Sequence, residues 1–116
     1  MDHVIRITRY NLMSGEGMLT YLRDGSEILC TKSWEHAGNL IPAKKYTGSK
    51  TTMASKGWPA IYLPDSQTGK NGIFIHKGKS QSWSEGCICI DGAEIKKILA
   101  HLPSDVGAVT INVAYS

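Results

Sequence analysis

The residues best suited to chemistry stand in the last third of this 116-residue chain: His76, and the segment Ser84-Glu85-Gly86-Cys87. A thiol attacks well only as thiolate. Its ordinary pKa of about 8.5 falls by several units beside an imidazole. Acyl transfer also requires donors aimed at the oxygen on which negative charge develops, a task suited to backbone N–H groups. Gly86 has no Cβ, so a carbonyl group can approach the chain closely there. Cys87 is therefore the candidate nucleophile and His76 the candidate general base and acid. The N–H groups of Gly86 and Cys87 are candidate oxyanion donors. A carbonyl or side chain near Lys77 is expected to orient the imidazole, as a third group does in such sites.

Strands must position this pair. Ile73-Phe74-Ile75-His76 reads as a short buried strand after an Asn71-Gly72 turn, and Gly86-Cys87-Ile88-Cys89-Ile90 as another after a polar loop over 77–85. If the two strands are neighbours, His76 and Cys87 should emerge at the same edge. Upstream, Ile5 and Ile7 alternate with Arg6 and Thr8, the period of a half-buried strand. Asp24-Gly25 between the runs 18–23 and 27–32 predicts a tight hairpin, because a primed turn needs positive φ at its central residues. The pattern loosens from Trp34 to Lys70, apart from a turn over 39–43 that leads into a short extended piece, and a strand over 59–63. Asp91 and Glu94 fit a capping box, Ile95, Ile98, Leu99 and Leu102 follow at helical spacing, and Pro103 stops the helix. Val109, Ile111, Val113 and Tyr115 alternate in a final strand. The expected fold is mainly β, one domain over 1–116, with a single helix in the C-terminal half.

Around the pair, Trp83 and Trp58 are candidates to line a groove. Lys77 and Lys79 can attract carboxylates. Glu85 either orients His76 or faces water. Cys89 shares a strand face with Cys87, since side chains alternate with period two, and reads as packing. Cys30 reads as core, and His3, His36 and His101 have no motif context. His76, Cys87 and Cys89 number three potential zinc ligands, but Cys-x-Cys within a strand lacks the usual knuckle spacing and no second pair follows. Neither a metal nor a cofactor is expected.

Composition sets the class. Charged residues make up 20% and apolar ones 41%, which fits a folded domain rather than a disordered chain. A net charge of +3 without a dense Lys/Arg run gives no footprint for nucleic acid. Asp2, Arg6 and Arg9 interrupt the N-terminal apolar residues, so a secretory signal is not expected there, and no apolar run is long enough to span a bilayer. Three cysteines leave at least one thiol free.

The run Ile73-Phe74-Ile75-His76-Lys77-Gly78 followed by Ser84-Glu85-Gly86-Cys87-Ile88 resembles the signature of the L,D-transpeptidase catalytic domain: an apolar strand ending in His, a loop, then Ser/Thr-His-Gly-Cys. Leu40-Ile41-Pro42-Ala43-Lys44-Lys45-Tyr46 is similar to the Ile-Pro-x-Gly-x-Tyr stretch that precedes the catalytic strands there. The likeness spans roughly 40–91 and is closer to a small bacterial and phage branch with a short loop and Ser-x-Gly-Cys. It implies an L,D-transpeptidase-like β-sandwich or mixed sheet, and a thioester formed by Cys87 on peptidoglycan stem peptides. Ser84, Glu85, Trp83 and Lys77 would then bind substrate, with a cognate immunity or delivery protein as a further partner. Synthesis in the cytoplasm and action on the wall after delivery or lysis would follow. Glu85 stands where the larger family has His, and Cys89 where it has Arg or Asn, which leaves hydrolysis open beside transpeptidation. The alternative from another class is a non-catalytic module that binds wall peptides or serves as a structural part of a phage or secretion system. A third is a toxin acting on another acyl or amide substrate.

Overall fold

A computed structural model describes residues 2–11, 13–79 and 86–116. Among them run β1 (His3–Asn11), β2 (Glu16–Arg23), β3 (Ser26–Glu35), β4 (Lys45–Thr52), β5 (Pro59–Leu63), α1 (Asp65–Thr68), β6 (Ile73–Lys77), β7 (Ile88–Ile90), α2 (Gly92–His101) and β8 (Val109–Tyr115). The mainly β expectation holds. The strands do not divide into two packed sheets, however. They close into one barrel in the order β1-β2-β3-β7-β6-β5-β4-β8, with β3 joined to the short β7 only over Ser33–Glu35. Two of its ladders, β1 with β8 and β6 with β7, are parallel and the rest antiparallel.

The alternation in β1 works as its residues suggest: Ile5 and Ile7 are buried inside, while Arg6 and Thr8 face solvent. Asp24 and Gly25 turn the β2–β3 hairpin with φ of 52° and 82°, pairing Arg23 with Ser26. Cys30, expected in the core, is exposed. It alternates with half-buried Leu29 and Thr31 and so faces outward, where it receives a hydrogen bond from Thr20 Oγ1 at 3.4 Å.

β4 lies where a short extended piece is expected after the 39–43 turn, but it is a full strand of eight residues. Its inward residues are Tyr46 and Gly48, so Lys-Tyr-Thr-Gly-Ser-Lys-Thr-Thr carries almost no apolar period. The glycine is a packing requirement. A Cβ there would lie 2.7–2.9 Å from Ile111 Cδ1, Ile61 Cγ2 and Val109 Cγ1, which already fill the space.

Helix α2 lies across the end of the barrel at which β2, β4 and β6 finish. Ile95, Ile98, Leu99 and Leu102 join the barrel core, His101 meets Tyr21 at 6.0 Å between ring centroids, and Lys50 Nζ donates to Leu102 O at 3.4 Å. Asp91 caps it through the Ala93 N–H at 2.9 Å. The reciprocal half of the expected box is not made, because Glu94 pairs instead with Lys97 at 3.2 Å. No helix among the described residues is long and apolar enough to cross a membrane.

The opposite end is plugged by charge. Arg9, the last inward side chain of β1, donates to Glu35 through Nε at 2.9 Å and Nη2 at 2.7 Å. It also donates to Ile41 O at 2.8 Å and to Tyr115 Oη at 3.1 Å. The two charged side chains are only 2% and 3% exposed. A planar guanidinium suits this role because its fork matches the carboxylate and leaves further donors for the carbonyl and hydroxyl.

Candidate functional site

The candidate residues meet on the outer face of the β6–β7 ladder. Ile75 and Ile88 pair and point into the barrel, so His76 and its ladder partner Cys89 point outward. The two strands are neighbours, as expected, but they run parallel. Their matching ends therefore lie apart: His76 sits near the finish of β6, and Cys87 just before the start of β7. The register places Cys89, not Cys87, directly opposite His76. Cys87 is its diagonal neighbour on the same face, one strand spacing across and two residues along, which is about 8 Å between Cα atoms.

His76 is 4% exposed and its ring is held at several points. Nδ1 is 2.8 Å from the Lys77 carbonyl oxygen. A carbonyl only accepts, so Nδ1 carries the proton and Nε2 keeps its lone pair. This is the orienting carbonyl expected near Lys77. Burial holds the imidazole below its ordinary value of 6.5. The Lys77 carbonyl opposes that shift, and the charge of Lys56 adds to it. The ring is therefore a neutral base at physiological pH, protonated only under more acidic conditions than a free histidine.

The two thiols differ. Cys89 Sγ lies 3.9 Å from Nδ1 and 4.0 Å from Nε2, yet it is fully buried. Its pKa is pushed up to about 12, first by burial and then by Cys87 and Glu35. It remains a protonated packing group, in line with its reading from sequence. Cys87 keeps 8% exposure, and its Sγ is 3.6 Å from the Gly72 carbonyl oxygen. Gly86 has φ of 109°, a conformation that a residue with Cβ rarely adopts. A Cβ there would also come within 3.1 Å of Asn39 Nδ2.

Asn39 and Lys70 are additions that sequence reasoning missed. Lys70 Nζ donates to Asn39 Oδ1, which orients the carboxamide with its nitrogen toward Gly86. An amide donor thus borders the turn that presents the thiol. Nothing in the local sequence marks it, since 31 residues separate Lys70 from Asn39. Trp58 is placed against His76, and Trp34 is the ladder partner of Cys89 on β3. Trp83, Ser84 and Glu85 lie outside the described residues.

Beyond Lys77 the surface opens into a cleft of about 450 Å³, lined by Lys77, Lys79, Asp91, Lys96 and the backbone of Gly78, Gly92 and Ala93. Lys79 reaches Asp91 at 4.0 Å, and both are largely exposed. Three ammonium groups against one carboxylate make the cleft cationic. Among the described residues no three His, Cys, Asp or Glu side chains are grouped to hold a metal ion. A scan against models of known protein families and a search of curated proteins both return no match.

Proposed function

We propose that this protein is a cysteine-dependent peptidase or transpeptidase of the L,D-transpeptidase-like type that acts on peptidoglycan stem peptides. The observation that carries the proposal is the His76 ring, fixed by the Lys77 carbonyl with Nε2 unprotonated and facing outward beside the less buried of two thiols. The resemblance over 40–91 supplies the substrate class. The cationic cleft beyond Lys77 suits a peptide rich in carboxylates.

In this mechanism Nε2 of His76 takes the Cys87 proton as Sγ bonds to the substrate carbonyl carbon. Negative charge collects on the carbonyl oxygen, where the Gly86 and Cys87 N–H groups stabilise it. Collapse breaks the C–N bond, and the imidazolium returns its proton to the leaving amine. The resulting thioester passes its acyl group to water or to a second amine, with His76 again taking the proton. The mechanism requires Cys87 to close its diagonal separation from the fixed His76 ring when substrate is bound. Such chemistry belongs at the cell wall.

Incubation with purified muropeptides, followed by mass spectrometry of the products, tests this reading. The wild-type chain is expected to yield a shortened or exchanged stem peptide, and Cys87→Ser none. A second reading is favoured by the register that sets His76 against the inert Cys89: the groove holds a wall peptide without cleaving it. Unchanged muropeptides that nevertheless shift the amide resonances of Gly78 and Ala93 would establish binding in place of catalysis.

A further inference from the structure

His76 lies beneath an aromatic cover that the mechanism leaves without a task. The connection from β4 to β5 is closed by backbone hydrogen bonds from Gly57 N–H to Met53 O at 2.7 Å and from Met53 N–H to Trp58 O at 2.8 Å. Trp58 is therefore presented by a bonded turn. Its ring centroid stands 5.6 Å from that of His76, with the planes tilted by 51°. Two ammonium groups stack on the same indole, Lys56 Nζ at 5.0 Å and Lys77 Nζ at 4.8 Å from the centroid. We propose that Trp58 is a positioning residue: loaded with Lys56 and Lys77, it fixes the His76 ring in one orientation and tautomer and surrounds it with positive charge.

An indole face attracts cations through its negative potential. A bare indole beside an imidazole would favour the imidazolium. Here two lysines already engage the indole, and their charges act against a third cation nearby. The groups facing His76 from the elements around it are Lys56 from the turn, Lys77 from β6 and the Cys89 thiol from β7, with Cys87 diagonal to it just before that strand. Trp34 on β3, beside Cys89, carries no charge. Burial, to which the indole contributes, and repulsion by Lys56 both disfavour protonation of the ring, in the direction already described. This inference rests on His76 acting as the general base, but its test needs no substrate.

The test is an NMR titration of the full chain with isotope-labelled histidine, the His76 signals being assigned from a His76→Gln spectrum. In wild type the Nδ1–H tautomer and a midpoint below the ordinary imidazole range are expected. Trp58→Ala should raise the midpoint toward that range and bring both tautomers into exchange. Trp58→Phe should restore most of the wild-type behaviour, and Lys56→Gln should raise the midpoint while leaving the tautomer intact. A folded Trp58→Ala chain with unchanged midpoint and tautomer overturns the proposal. If that variant does not fold, Lys56→Gln decides: an upward shift supports the proposal and no shift overturns it. Because the readout is the imidazole alone, failure here is separate from failure to process muropeptides.

Discussion

Glu35→Ala is expected to lose about 3–5 kcal/mol of stability, read as a lower urea midpoint, because it strands the Arg9 guanidinium in the barrel end without its counter-ion. The two groups are nearly inaccessible to water, so solvent cannot replace the carboxylate. Against a typical total of about 5–15 kcal/mol for a domain, the loss takes a large share of the folding free energy. Arg9→Met combined with Glu35→Leu should recover most of it, since an apolar pair removes both desolvation costs at once. The exposed pair of Lys32 and Glu16, 3.0 Å apart, provides the contrast: Lys32→Ala should leave the midpoint near that of wild type, because water screens both partners. The barrel end depends on the pairing of Arg9 with Glu35 far more than on the surface ion pairs.

His76→Ala is expected to slow acylation of Cys87 by about 10²–10⁴-fold, the usual contribution of a positioned general base. The pH profile gives a second signature. Nε2 must be unprotonated to accept the thiol proton, and burial keeps the ring's pKa below 6.5. The acid limb of the rate profile should therefore fall at lower pH than for an unperturbed histidine, and that limb should vanish in the alanine variant. Stopped-flow acylation across a pH series reads both effects. Cys89→Ser should preserve the limb, because the Cys89 thiol stays protonated through that range.

Local chemistry made several elements legible. The alternation in β1 and β8, the Asp24-Gly25 hairpin and the apolar stripe of α2 each arise within ten residues of chain, where periodicity reports burial directly. β4 was legible only as a short extended piece because its inward positions hold a tyrosine and a glycine, the second kept small by side chains from β5 and β8. Cys30 was misplaced for a related reason: residue type suggests burial, whereas strand phase decides it. Closure of the barrel depends on ladders such as β1 with β8, whose partners lie about a hundred residues apart.

That the two candidate strands lie side by side was legible, and their register was not. His76, Gly86 and Cys87 are candidates on residue type and spacing, and the Lys77 carbonyl lies where a third group was sought. Whether two adjacent strands run parallel or antiparallel is a property of the whole sheet. That choice moved Cys89 to the place expected for Cys87. Trp58 and Asn39 reach the site from turns with no periodic pattern, so only the fold brings them there.

The measurement closest to the central claim is peptide mapping of the intact chain after brief exposure to a stem peptide or a carbapenem under reducing conditions. The expected result is one acyl group on Cys87, present in Cys89→Ser and absent in Cys87→Ser. Acylation of Cys89, or an unmodified Cys87 in a folded chain, contradicts the assignment of Cys87 as the nucleophile.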